Sequence, residues 1–417
     1  MKKENFWVRL SIINLCTVAI VGIILRSKII FSLPFINYNY LLEAHEHFAF
    51  GAWATLGLMF LLVYELLPES LYRKPVYQWL LAGIALNSWI MLFTFSSGGN
   101  SKVSNIFSTI FIFFTYAFGW KLISDLRNSG VNKTVFLLTV SSVICLVISS
   151  VGPFTLAYLF AEKSLNVILY KDALYTYLHF QYNGFFTLAV FALLFRKLES
   201  KISDEAKKNI HRFSVLLVIS ILPSQFLTFL WEGSNNNLFL FMAIAGSIFL
   251  LLSLLWFIIS ALSISKVFKT VSPVVKYLGI ISMSAFALKI FLQSFTIFPT
   301  VGNAVFGDRP VIIGFLHLVF LAFVSIFLLA YFSHREFLNI KNKFTRVALV
   351  VFTLGVIFNE AVLMSQGLGA MFIKGSQLFP WLLWIASIWL FYGALLITIA
   401  CFKYNATAKR ELMEGVF

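Results

Sequence analysis

Long uninterrupted apolar runs recur along this chain, and the clearest, Phe239 to Ala261, contains no charged residue. A helix needs about 20 such residues to cross the hydrocarbon core of a bilayer. Inside lipid every backbone N–H and C=O must be paired within the protein, so only helices and closed barrels can cross. Barrel strands alternate in hydropathy over about ten residues; these runs do not alternate. The expected fold is therefore all-α, a polytopic bundle of membrane helices. With 60% hydrophobic and 12% charged residues over 417 positions, a sizeable soluble domain is excluded.

Clusters of charge, Pro, Gly and Asn cut the chain into twelve predicted spans. They lie near residues 7–25, 41–67, 76–96, 103–123, 134–161, 173–195, 212–231, 238–263, 273–298, 310–332, 345–366 and 379–402. No nucleotide-phosphate loop, DNA-binding motif or low-complexity linker interrupts them, so residues 1–417 read as one integral membrane domain.

A formal charge of +15 would point to nucleic acid in a soluble protein. Here its location points to a lipid bilayer as the partner instead. Lys and Arg number 24 in the segments on the side of the N-terminus and seven in the opposite loops, with Lys289 inside a span. By the positive-inside rule both termini are expected in the cytoplasm, with the chain integral to a plasma membrane of the bacterial inner type. The loop from Arg196 to Arg212, with six basic and three acidic residues, reads as a solvated cytoplasmic loop. The start, Met1-Lys2-Lys3-Glu4 before an apolar stretch, resembles a signal peptide but lacks a small-x-small cleavage site before Arg26, and reads as an uncleaved first helix. Cys16, Cys145 and Cys401 each sit inside an apolar run without metal-ligand spacing, and read as buried thiols.

Function must then be sought within the bilayer, where ionisable residues are costly and usually face the bundle interior. His47, His179 and His317 fall at similar depth in the second, sixth and tenth predicted spans, roughly 10 Å below the outer boundary at 1.5 Å per residue. They are 132 and 138 residues apart, about four spans each, so the chain reads as a repeated arc of four helices. Imidazole is the usual axial ligand of haem iron, and two such groups on facing helices can clamp one haem. His45 stands two residues before His47 and points about 200° away from it on a helix, so the two cannot serve one iron. His211 and His334, at the span ends, read as interfacial.

Twelve spans with histidines in the second, sixth and tenth resemble the main subunit of the haem-copper oxidase superfamily, in particular its nitric oxide reductase branch. The local residues that carry the resemblance are His47 followed by Trp53, Tyr64, Pro68 and Glu69; His179 followed by Asn183 and Gly184; Gly246 to Phe249, reading Gly-Ser-Ile-Phe; and His317 two residues after Phe315. The resemblance implies that His47 and His317 bind one low-spin haem b and that His179 is a ligand of a non-haem metal. The chain departs from the family where a pair of adjacent histidines is expected, since Pro223 to Glu232 contains none and has Trp231 and Glu232 near that place. Phe315 replaces the high-spin haem ligand, and Asn183 replaces an acid.

The resemblance implies a divergent relative holding one haem for electron transfer or gas sensing in respiration, supplied by an electron donor that is a cytochrome or a quinol. Two other readings stay open. One is a terminal oxidase or nitric oxide reductase with a metal site rebuilt from His179, Asn183 and Glu232. The other is a haem-free transporter or assembly protein. His45, Asn183, Glu232, Lys289 and Glu360 are candidate supporting groups or proton-relay residues. Lys289 and Glu360 are each inside a span and are expected to need partners, either each other or a haem propionate. Arg309, in Asp308-Arg309-Pro310, is a further basic group at a span entry, and the many phenylalanines read as packing residues.

Overall fold

A computed structural model describes residues 3–230, 236–372 and 376–414. Helix makes up 87% of it, with no strand among the described residues, and twelve helices are long and apolar enough to cross a membrane. The chain is an all-α polytopic bundle. Its spans, numbered in chain order, are Glu4–Ile30, Tyr38–Leu66, Pro75–Gly98, Lys102–Leu126, Lys133–Ala161, Val167–Leu198, Asp204–Phe229, Asn237–Ile264, Pro273–Ile297, Arg309–His334, Lys343–Gly369 and Leu378–Lys403. An even number of crossings puts the first and last spans' free ends on one side, here called the terminal side; the other is the distal side.

The helix starts follow local chemistry. Asn37, Ser101, Asn132, Asn166 and Ser203 each accept a hydrogen bond from a first-turn backbone N–H. Pro75, Pro273 and Pro310 occupy first-turn positions where a missing N–H costs nothing. Two caps also explain where the spans outrun the apolar runs. Asn166 starts the sixth span at Val167, and Ser203 starts the seventh at Asp204, so charged turns read as loop from hydropathy are helical.

Packing sorts the spans into inner and outer. The most apolar stretches of the second and sixth spans are 83% and 89% buried, against 22% and 28% for the fourth and eighth. The tenth joins the core through its terminal half, where every residue from Ala322 to Ser333 is buried. Two glycines set close crossings between outer helices. A Cβ at Gly246 would stand 2.5 Å from the Ser224 backbone, and one at Gly393 2.6 Å from that of Phe352. Phe191, Phe213, Phe257 and Phe286 pack largely edge-to-face and Phe323 joins them at a tilt, linking the sixth to tenth spans, with Phe191 and Phe286 centroids 4.7 Å apart.

The three inner spans share one irregularity. Each carries a π-helical segment, at Ala49–Thr55, Phe180–Phe186 and Leu318–Ser325, and no other described span does. Such segments concentrate at functional sites. Side chains pair with their carbonyls: Asn14 donates to Ala52 O at 2.8 Å, Thr187 to Tyr182 O, Ser325 to Phe320 O at 2.7 Å, and Ser282 to Phe323 O at 2.7 Å. The Trp53 indole then donates to Ser325 Oγ at 2.6 Å, tying the second span to the tenth.

Candidate functional site

Each π segment begins within two residues of a histidine: His47, His179 or His317. The three inner spans separate three cavities. The first lies between spans two to six and the start of ten, the second between six, seven, nine and ten, and the third between ten to twelve, one and two. Each cavity meets histidine differently.

The third cavity, about 190 Å³, has mainly apolar walls, including Val18, Leu25, Phe320 and Leu390. It is lined by both His45 and His317, near enough to interact electrostatically. His45 lies seven residues into the second span and His317 eight into the tenth, so both stand roughly 11 to 12 Å from the distal helix ends. His317 Nδ1 donates to Ile313 O at 2.8 Å, which fixes the tautomer and leaves Nε2 with a free lone pair. His45 Nδ1 is enclosed without a hydrogen-bond partner. Gly22 faces this ring, and a Cβ there would make only ordinary contact, 3.6 Å from His45 Cε1. Arg26 and Tyr38 line the same cavity, and Arg309 stacks over Tyr38 at 5.3 Å while donating to its hydroxyl at 3.1 Å.

His47 and His317 line no cavity in common, so the pair expected from the resemblance is not brought together. His47 stacks on Phe95 at 4.2 Å and lines the first cavity. The reason is helical geometry: residues 45 and 47 face opposite sides of the second span, and it is the side of His45 that faces the tenth.

His179 lines the second cavity, about 60 Å³, with both ring nitrogens engaged. Nε2 donates to Ile221 O at 2.8 Å, and Nδ1 accepts from Asn183 Nδ2 at 3.0 Å. Asn183 Oδ1 in turn accepts from Lys289 Nζ, which is fully buried. A metal could reach His179 only by displacing one of these bonds. Asn183 stands where the family resemblance expects an acid, and here it serves an imidazole and an ammonium at once. Phe315 lines the same cavity, and Glu232 lies outside the described residues. Among the described residues no three His, Cys, Asp or Glu side chains gather as a metal site.

The expected Lys289–Glu360 pair does not form. Span ten packs against both span nine and span eleven, and Lys289 turns to Asn183 instead. Glu360 accepts from Asn359 Nδ2 at 3.1 Å, and Asn359 lines the third cavity. His211 Nδ1 meets the Thr134 hydroxyl at 2.9 Å at the terminal side.

Several residues of these cavities escaped the sequence reading. Arg26 falls just past the first predicted span, and one charge at the end of an apolar run is how a cavity cation shows itself in sequence. Asn14 lines none of the three cavities but bridges Ala52 O and Trp89 Nε1, and a lone amide in an apolar run is the signal of such a tie. Glu43, Glu46 and Gln181 were legible as polar residues inside predicted spans.

No protein-family model matches this chain, and no curated protein matches it.

Proposed function

We propose that this chain is a membrane haem protein, a divergent relative of the haem-copper oxidase main subunit, holding one haem b between His45 and His317 in the cavity bounded by spans one, two and ten to twelve. The single observation that carries the reading is two imidazoles from facing helices lining one apolar cavity, one with its tautomer fixed to leave Nε2 free. The other donors suit the group. An apolar wall accepts a porphyrin face, and Arg26 at the distal end offers charge to propionate carboxylates. Bound there, a haem between two imidazoles supplies one-electron transfer with no open iron position. The role is therefore electron transfer in a respiratory membrane in place of gas reduction, with both termini in the cytoplasm and a cytochrome or quinol as donor.

His179 supports the same conclusion. An imidazole bonded at both nitrogens is a packed structural group, and Lys289 beside it disfavours a second cation.

The test is optical. Purified from haem-replete cells, the protein is expected to be red, with a sharp α-band on reduction, a pyridine assay reporting haem b near one per chain, and little response to carbon monoxide. A colourless protein, a second haem, or rapid oxygen uptake with a reduced donor would overturn the assignment. A reporter fused after Phe417 is expected to report cytoplasm; a periplasmic signal would reverse the orientation.

A further inference from the structure

The first cavity shares Glu46, Phe50 and Leu316 with the third but neither of its histidines, and it is the largest of the three at about 340 Å³. It runs from Asn100 at the distal surface down between spans two to six, with Ile312 and Leu316 of span ten beside it, to Gln181. Gln181 is fourteen residues into its span, roughly 20 Å deep. Its charge is of one sign. Glu43 and Glu46, three residues apart on one helix face, both line it, and no Lys or Arg does, in a chain carrying a formal +15.

Neither glutamate has an ion-pair partner among the described residues, and Glu43 Oε2 has no hydrogen-bond partner. Arg309 acts on Glu46 only from a distance, with its guanidinium engaged on Tyr38. A second, independent observation lies at the far end. Gln181 is 93% buried, its Nε2 donates to Ser149 Oγ at 3.0 Å, and its Oε1 has no partner. Every unmet group is thus an acceptor.

Glu43 is half-buried and Glu46 exposed to the cavity; neighbouring carboxylates with no cation against them repel one another, and a buried amide oxygen without a donor is costly. Protonation would relieve the two glutamates but would leave Gln181 Oε1 unmet. Between the two ends the wall is aromatic, with Phe95, Tyr170 and Tyr177 among its residues. Aromatic faces attract cations, and a cavity of this size that opens beside carboxylates concentrates them.

We propose that this cavity binds an organic ammonium ion: a primary or secondary amine whose N–H groups meet the glutamates and whose apolar body lies against the aromatic wall, reaching toward Gln181. This goes beyond the haem reading and does not rest on it: neither His45 nor His317 lines the cavity, and of the two glutamates Glu43 lines this cavity and not the third, while Glu46 lines both.

The test is calorimetric titration of the full-length purified protein with 2-phenylethylammonium chloride at constant ionic strength. Saturable binding of one molecule per chain is expected. E43Q/E46Q should weaken it by roughly tenfold or more, the scale of lost hydrogen bonds to a charged group, and Gln181→Leu by a few-fold. The N-trimethylated analogue, which keeps the charge but has no N–H, is expected to bind roughly tenfold more weakly to the unaltered protein, and this arm needs no substitution to fold. His45→Ala should bind as the parent does, even if it has lost haem. Absence of saturable binding, equal affinity for the trimethylated analogue, displacement by equimolar sodium or potassium, or indifference to E43Q/E46Q would each overturn the proposal.

Discussion

The second and third cavities place one histidine-bearing span, the tenth, against two others, and the chemistry differs on its two sides. On one side His317 uses Nδ1 on its own helix and keeps Nε2 free, with His45 across an apolar space. On the other, His179 is bonded at both nitrogens and flanked by Lys289 through Asn183. The lesson concerns reading histidine in a membrane. Depth alone makes all three candidates; the count of satisfied nitrogens separates a poised ligand from a packed one.

The sharpest way to break this contrast is to remove each imidazole in turn. His45→Ala and His317→Ala should each abolish the reduced-minus-oxidised haem signal, while His47→Ala and His179→Ala should retain it in whatever protein folds. Loss of haem in His47→Ala with retention in His45→Ala would reverse the assignment along the second span.

The next effect is on stability. Asn183→Leu strands a buried ammonium and an imidazole nitrogen together, and should destabilise by about 3–5 kcal/mol, read as a fall in thermal midpoint in detergent. Lys289→Met added to Asn183→Leu should recover much of the loss, because the unpaired charge goes with it. If the double variant is no more stable than the single, Lys289 is not held by Asn183.

A smaller effect should separate the cavities electrically. Arg26→Gln removes a cation from the third cavity alone and should lower the haem midpoint potential by the equivalent of about 1–2 kcal/mol, the scale of a unit charge acting over about 10 Å at a protein-like dielectric. Redox titration checks it, and an unchanged potential would remove Arg26 from the haem's surroundings. The smallest effect belongs to the tie between the second and tenth spans. Ser325→Ala and Trp53→Phe should each cost about 1 kcal/mol. Combined, they should cost less than their sum, since each removes the same bond.

The legible part of the fold was the part that local chemistry decides. Apolar runs fixed the number of spans, and the caps Asn166 and Ser203 show why two of them begin earlier than hydropathy indicates. The candidate site was legible only as a layer of histidines. That residues 45 and 47 face apart follows from helical spacing. Which of them faces the tenth span depends on how the second span is rotated in the bundle, and no single-sequence pattern carries that. Lys289 and Glu360 illustrate the same limit: their depths permitted a pair, but span ten packs between their helices.

By itself, then, the sequence determined that this chain is a twelve-helix membrane bundle with imidazoles at one level in three helices, because length, hydropathy and periodicity are properties of each helix alone. Only the tertiary structure decided that His45 shares a cavity with His317 while His47 lines another, and that His179 is closed off by Ile221 and Asn183. Those outcomes depend on helix rotation and on the π segments that follow each histidine. Both are fixed by packing between spans far apart in the chain, such as Asn14 on Ala52 and Trp53 on Ser325, where a shift of one residue turns a side chain by about 100°.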